Sequence, residues 1–233
     1  MLLPGKHGLG FAVGQEPLTA MFASMGARIT ATDMAFEEAH AGGWVTTGQH
    51  ANGMKALNSR NICDPKKFEE LVDFKVADMT NIPSEFNDRF DFVWSSCALE
   101  HLGDLGKGME FIDNAMNCLK PGGFAIHTTE YNVSSNTDTV DSGETVLYRK
   151  RDIEKVVATL RSQGHKVDLD LREGIGELDQ IIDLPPYKQL IHLKLQIGQY
   201  VVTSVGLIVQ KKKNNPMQWV KDIGGGLLAR VRK

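Results

Sequence analysis

The 233 residues are 42% hydrophobic and 24% charged, with 26 basic against 29 acidic side chains and a formal net charge of -3. This is the composition of one ordinary globular domain, large enough to bury a core without disulfides or a structural metal, and its near-neutral balance argues against nucleic-acid binding. Cys63, Cys97 and Cys118 are too widely spaced for a C-x-x-C pair and have no histidine placed to complete a zinc knuckle, so they read as reduced thiols of a cytoplasmic protein.

The opening MLLPGKHGLG lacks the apolar core of a signal peptide, and no stretch approaches the roughly 18 apolar residues of a spanning helix, which again points to the cytoplasm. Gly8 to Val13 is a short apolar run ending in a glycine-containing turn. Pro17 to Met25 then sets Leu18, Met21, Phe22 and Met25 at helical spacing, giving strand, loop, helix. Arg28 to Thr32 and Phe74 to Ala77 are short strands that stop at Asp33 and Asp78. Phe90 to Ser95 is a buried strand, and Gly106 to Leu119 carries Met109, Ile112, Met116 and Leu119 on one helical face. Lys120, Pro121 and Gly123 break the chain before the strand Phe124 to Thr128.

Strands alternating with helices imply right-handed βαβ units and a parallel sheet covered on both faces. Beyond them lie a helix, Arg151 to Gln163, and two alternating runs, Lys166 to Arg172 and Tyr200 to Lys211, which close one edge of the sheet in antiparallel fashion. The polar loop Asn132 to Glu144 sits past a strand end and is either a substrate wall or lid or a plain surface loop. Leu184 to Gly198 interrupts the last two strands and is read as a packing helix in preference to a substrate roof. Residues 1–210 form the domain. The tail 211–233 holds seven basic residues against Asp222 alone, which leaves the body at about -9. Trp219, Ile223, Leu227 and Val231 are spaced by four, as an amphipathic helix touching an anionic membrane weakly would require. Gly224 to Gly226 oppose that by roughly 2 to 3 kcal/mol of helix propensity, which favours a flexible tail.

The turn at Gly14, Asp33 and Asp78 all fall at carboxyl ends of parallel strands, so they share one crevice. Asp33 follows Gly14 by 19 residues, a spacing suited to gripping a nucleoside ribose. A dinucleotide fingerprint over Gly8, Gly10 and Gly14 would need a strand within MLLPGKH, which is too short and broken. Gln15, Glu16 and Pro17 occupy the helix start where a pyrophosphate would sit, and Glu16 would repel it. A cofactor with a ribose and a positive centre but no phosphate is favoured over a nicotinamide dinucleotide, and hence over an oxidoreductase.

With GLGFAVGQE, the strand-end Asp33, VADMTNIP (Val76 to Pro83), FDFVWSSCALEHL (Phe90 to Leu102) and LKPGGFAIHTTEY (Leu119 to Tyr131) in that order, the chain resembles the class I S-adenosylmethionine-dependent methyltransferases, in particular those acting on small molecules. The resemblance implies a doubly wound, seven-stranded Rossmann-like α/β sheet, mostly parallel with an antiparallel edge strand. It implies S-adenosyl-L-methionine as cofactor and methyl transfer, with O-methylation preferred, to a small-molecule or sugar-containing acceptor. Carried over, Ala12 and Gly14 line the methionine portion, Asp33 and the adjoining Met34 bind ribose, Asp78 and Met79 bracket adenine, and Ser95 and Ser96 face the methionine and methyl end. Glu100 and His101 lie near the methyl position, where His101 is the best base by pKa and place, or else part of the wall. Glu130 and Tyr131 share that rim, His192 falls in the later insertion, and His127 belongs to the core.

The family's loop reads acid, x, Gly, x, Gly, x, Gly, whereas these places hold Gly10, Ala12, Gly14 and Glu16. The usual acid toward the methionine ammonium is missing at Gly10, and Glu16 or a backbone carbonyl is expected to take its part. The degenerate loop also fits a module that binds the cofactor without catalysis. Many relatives have an N-terminal helix that this sequence lacks. Either later segments cover the substrate, or the chain starts part-way into a longer ancestor. No carboxylate cluster evident in the sequence demands a metal.

Overall fold

The computed structural model describes residues 4–172, 174–187 and 192–214. In chain order the elements are β1 His7–Phe11, α1 Leu18–Ser24, β2 Arg28–Asp33, α2 Phe36–Ala41, α3 Met54–Leu57, α4 Pro65–Leu71, β3 Val72–Val76, β4 Phe90–Ser96, α5 Leu105–Cys118, β5 Leu119–Asn132, α6 Lys150–Ser162, β6 Lys166–Asp168, β7 Ile182–Asp183, β8 Lys194–Ile197 and β9 Tyr200–Gln210.

The strands form one sheet in the order β3-β2-β1-β4-β5-β9-β8-β7, and β6 also pairs with β9. Strands β1 to β5 are parallel, while β9 runs antiparallel to β5, from Phe124↔Gln210 to Asn132↔Val202. The far edge of β9 is shared: β6 takes its end at Ile208 to Gln210, and β8 takes its start at Tyr200 to Val202. The expected seven strands are therefore present, as β1 to β6 and β9. Two short strands extend the sheet, β7 just before the insertion Leu184 to Gly198 and β8 within it. That insertion corrects one expectation, because its described part is extended rather than a packing helix. Lys194–Ile197 is held by ladder hydrogen bonds to β9 that outweigh its apolar spacing. Residues 188–191 of the insertion, and the amphipathic stretch from Trp219 to Val231, lie outside the described residues.

Sequence and structure also differ around Pro121. No break separates α5 from the next strand, since β5 begins at Leu119, paired with Phe90. A register shift between Phe90 and Phe92 absorbs Lys120 to Gly123, so the proline sits at a bulge where it interrupts no central ladder. At the other side of the fold, β6 stops at Asp168 and does not reach Arg172.

Two cores flank the sheet. Under α5 and α6, Phe11, Phe90, Phe111, Ile112, Ile153 and Leu160 pack together, with Phe11 meeting Phe111 edge-on at 5.1 Å. Under α1 and α4, Ala20, Ile29, Phe68, Phe92 and Trp94 form the second cluster, where Phe22 stands edge-on to both Phe92 and Trp94. Strands β1, β2 and β4 are buried on both faces. Strand β5 alternates instead, and among the described residues its outer face leaves Phe124 and Ile126, with Ile208 of β9, open. Strand order reverses between β1 and β4, and the crevice opens at that point.

Candidate active site

Beyond the carboxyl ends of β1, β2, β3 and β4 lies a cavity of about 660 Å³. Ala12, Gly14, Glu16, Asp33, Met34, Asp78, Met79, Ser96 and His101 all line it, so most of the residues expected at the site are brought together. Ser95 and Glu100 are not among the lining residues. The reason at Ser95 is strand alternation: neighbours on β4 point to opposite faces, and Ser95 turns into the core, with Oγ 2.8 Å from His127 Nδ1. Burial holds the His127 imidazole down at about 4, which makes it a neutral core residue, as its position in the strand body suggested.

Asp33 is fixed by three backbone donors. Gly14 N and Ala51 N donate to Oδ2 at 3.1 and 3.0 Å, and Met34 N donates to Oδ1 at 2.9 Å. Oδ1 accepts only that one bond and keeps acceptor capacity toward the cavity. Asp78 organises its own turn, accepting from Thr80 N and from the Thr80 hydroxyl, both at 2.7 Å. Met79 is buried in the core beneath α5 and also forms cavity wall.

The cofactor loop departs from the family pattern for a visible reason. Gly10 pairs directly with Trp94 across β1 and β4, and a Cβ at residue 10 would run into the Trp94 ring and the Val13 side chain. No acid fits there. Trp94 Nε1 instead donates to Glu16 Oε1 at 2.8 Å, which places a carboxylate on the cavity wall from the other side of the loop. Burial pushes the Glu16 carboxyl up, opposed by its hydrogen bonds with Trp94 and Ser96. Gly14 adopts φ +50°, and a Cβ there would strike the Gln49 carbonyl. Ala12 and Cys97 hold φ of 45° without being glycines, on the two strand ends that flank the opening, where such strain is expected of a working site.

One wall was not foreseen from the sequence. The segment between α2 and α3 brings Trp44, Gly48, Gln49 and His50 to the cavity, and Glu38 of α2 and Ser59 and Arg60 after α3 line it too. His50 Nε2 donates to the Met34 carbonyl at 2.9 Å and Gln15 Nε2 to the His50 carbonyl at 3.3 Å, so this wall is tied to both β1 and β2 loops. The cluster of Trp, Gln and His in WVTTGQH, past Asp33 in the chain, was the available signal.

His101 stacks edge-on against Trp44, ring centroids 4.6 Å apart, and its Nδ1 lies 2.8 Å from the Glu144 carbonyl. A carbonyl only accepts, so Nδ1 carries the proton and Nε2 holds the basic lone pair. Burial lowers the His101 pKa, and the Glu144 hydrogen bond works against that shift. The loop Asn132 to Glu144 thus acts on the site as a brace. It is pinned by Gly143 N to Gly103 O and Leu105 N to Asp141 O, and none of its residues lines the cavity. Behind His101, Glu100 is fully buried, with Oε2 accepting from the Thr129 hydroxyl at 2.9 Å. Burial, aided by the nearby Glu130 charge and opposed by hydrogen bonds, raises its carboxyl to about 7.

Among the described residues no helix is long and apolar enough to cross a membrane. No curated protein sequence matches the chain. Solved structures with a similar fold include an O-methyltransferase family protein from Burkholderia thailandensis, 15% identical at a TM-score of 0.53, over 90% of this chain and 52% of that one. Phosphoethanolamine N-methyltransferase 2 of Haemonchus contortus, in complex with S-adenosyl-L-methionine, is 15% identical at a TM-score of 0.57, over 91% and 50%. An S-adenosylmethionine-dependent methyltransferase from Methanosarcina mazei is 13% identical at 0.55, over 91% and 95%. The chain thus spans about half the length of the first two and nearly all of the third. The family model described as "Methyltransferase domain" matches residues 9–127, from β1 into β5 and so through every strand end that lines the cavity, and the chain belongs to that family of class I S-adenosylmethionine-dependent methyltransferases.

Proposed function

We propose that the cavity binds S-adenosyl-L-methionine and that the protein transfers its methyl group to a hydroxyl of a small-molecule or sugar-containing acceptor in the cytoplasm. The observation that carries this reading is the charge of the cavity. Glu16, Glu38, Asp33 and Asp78 line it against Arg60, the one arginine or lysine there among the described residues, a balance that suits a cationic cofactor without phosphate.

S-adenosylmethionine, when bound, supplies a methyl group activated on a sulfonium. Asp33, held by Gly14, Met34 and Ala51, accepts from the ribose hydroxyls, and Asp78 and Met79 flank the adenine. Glu16, oriented by Trp94, faces the methionine ammonium in place of the acid absent at Gly10. His101, with Nδ1 committed to Glu144, accepts the acceptor hydroxyl's proton at Nε2. Trp44, packed against His101, supplies apolar wall that keeps water from the reacting centre.

Thermal melting with S-adenosylhomocysteine and with NAD tests the cofactor. At a hundredfold excess over Kd the former should stabilise by about 2.7 kcal/mol, a rise of roughly 5 to 11 °C for a chain of this size, and NAD should give none. Glu16→Gln should weaken the binding in calorimetry, and unchanged affinity would mean that Glu16 does not hold the ammonium. Transfer of labelled methyl to hydroxylated acceptors then separates an enzyme from a module that only binds.

A further inference from the structure

We propose that Cys97, Glu100 and Glu130 form a binding site for a divalent cation of zinc class, independent of whether methyl transfer occurs next to it. The Cys97 sulfur and one carboxylate oxygen from each glutamate lie within 4.8 Å of one another. Two chain segments converge to make this group, the turn after β4 and strand β5. Cys97 ends β4 in a left-handed turn held by the Thr128 carbonyl, Glu100 follows in the next turn, and Glu130 lies on β5 opposite Ser204 of β9.

The site is built rather than incidental. Glu100 is 0% exposed, and although Oε2 takes the Thr129 hydroxyl, Oε1 is buried with no hydrogen-bond partner. Glu130 Oε2 is likewise buried and without one. Two carboxylates with such oxygens carry a desolvation cost that a bound cation would offset. Complete burial of Glu100 favours a small ion over an organic ammonium. Cys97 Sγ lies 3.5 Å from Thr128 Oγ1 and 3.8 Å from Ser204 Oγ, hydroxyls placed to orient a thiolate.

The donor set narrows the metal. Magnesium and calcium take oxygen ligands almost exclusively, whereas one sulfur with two carboxylate oxygens suits zinc. Binding would release to solvent the Cys97 thiol proton and the proton that Glu100 carries in part near pH 7, and form Zn–S and Zn–O bonds with no change of oxidation state. Three protein ligands leave a fourth position open. Cys97 is also part of the cofactor cavity wall, so the cation would border the acceptor end of that space.

Cobalt(II) titration of the full chain, reduced and freed of metal by chelation and dialysis, tests the site. The expected result is a sulfur-to-cobalt charge-transfer band that saturates at one equivalent, is displaced by zinc and ignores magnesium. Cys97→Ser should abolish the band. Glu100→Gln or Glu130→Gln should weaken cobalt binding by more than about 10-fold, the least that loss of even an outer partner costs. Cys63→Ser should leave the band intact, since Cys63 is buried elsewhere under α4. Melting curves establish that each variant folds, and Glu130→Gln, with the thiol kept, serves if Cys97→Ser does not. Absence of the band in the wild type, or its survival in folded Cys97→Ser, overturns the proposal.

Discussion

Gly10→Asp puts back the acid that the family pattern expects and should damage this protein. The added Cβ would sit 2.5 Å from Val13 Cγ1 and closer still to the Trp94 ring, against the roughly 3.5 to 4.0 Å of ordinary carbon contact. Overpacking of this kind costs about 1 to 3 kcal/mol. Burying a carboxyl without a built partner adds about 1 to 3 kcal/mol more. A combined loss near 4 kcal/mol lowers the melting temperature by about 8 to 16 °C in a chain of this length. Cofactor affinity should fall as well, because a displaced Trp94 releases Glu16. Differential scanning calorimetry, with and without S-adenosylhomocysteine, measures both effects. Truncating Trp94 opens the space, so in a double-mutant cycle Gly10→Asp should cost less on a Trp94→Ala background than on the wild type. A Gly10→Asp protein that melts within about 2 °C of wild type and binds the cofactor as tightly would refute the steric argument and the relocation of the carboxylate to Glu16.

His101→Gln should lower kcat by roughly 10²- to 10⁴-fold with a much smaller change in S-adenosylhomocysteine affinity, and equal losses in both would reduce His101 to a wall residue. Because burial lowers its pKa below the ordinary 6.5, His101 is neutral at pH 7, so the rate should be flat there and fall only as the pH drops below 6.5. Asp91 sits where Lys6, Lys120 and the His7 amide converge at 3.0, 3.1 and 2.9 Å. They overcome its burial and hold its carboxyl down at about 2 against the ordinary 3.8. A depressed acid stabilises the fold above its unfolded pKa and loses that contribution as pH falls through the folded one. Asp91→Asn should therefore cost about 1 to 2 kcal/mol in urea unfolding at pH 7, and the gap from wild type should close between pH 4 and pH 2. A gap that persists at pH 2 would show that packing, not charge, is responsible.

Much of the architecture was legible because it follows from short-range periodicity. The parallel strands, their helices and the acids that end β2 and β3 all lie within windows of a few residues, and the order of the motifs carried the family. Residues 36 to 71 escaped this reading, since Trp44, Gln49 and His50 have no helical or strand period, and it is His50 that ties their segment to Met34 and Gln15 by hydrogen bonds. Ser95 and Ser96 show the limit in miniature: both end the same strand, and only the pleat decides which one enters the cavity.

The sequence by itself determined the α/β class, the crevice at the strand ends, and an acidic site suited to a cationic cofactor. Tertiary structure decided where the Glu16 carboxylate comes to lie and what stands beside the cavity. Gly10 and Trp94 are 84 positions apart and meet because β1 and β4 pair in a particular register, and Trp94 then orients Glu16. Glu130 likewise meets Cys97 and Glu100 only because β4 and β5 lie side by side. Spacing along the chain encodes periodicity, whereas the pairing of distant strands depends on packing the whole sheet, which no local window contains.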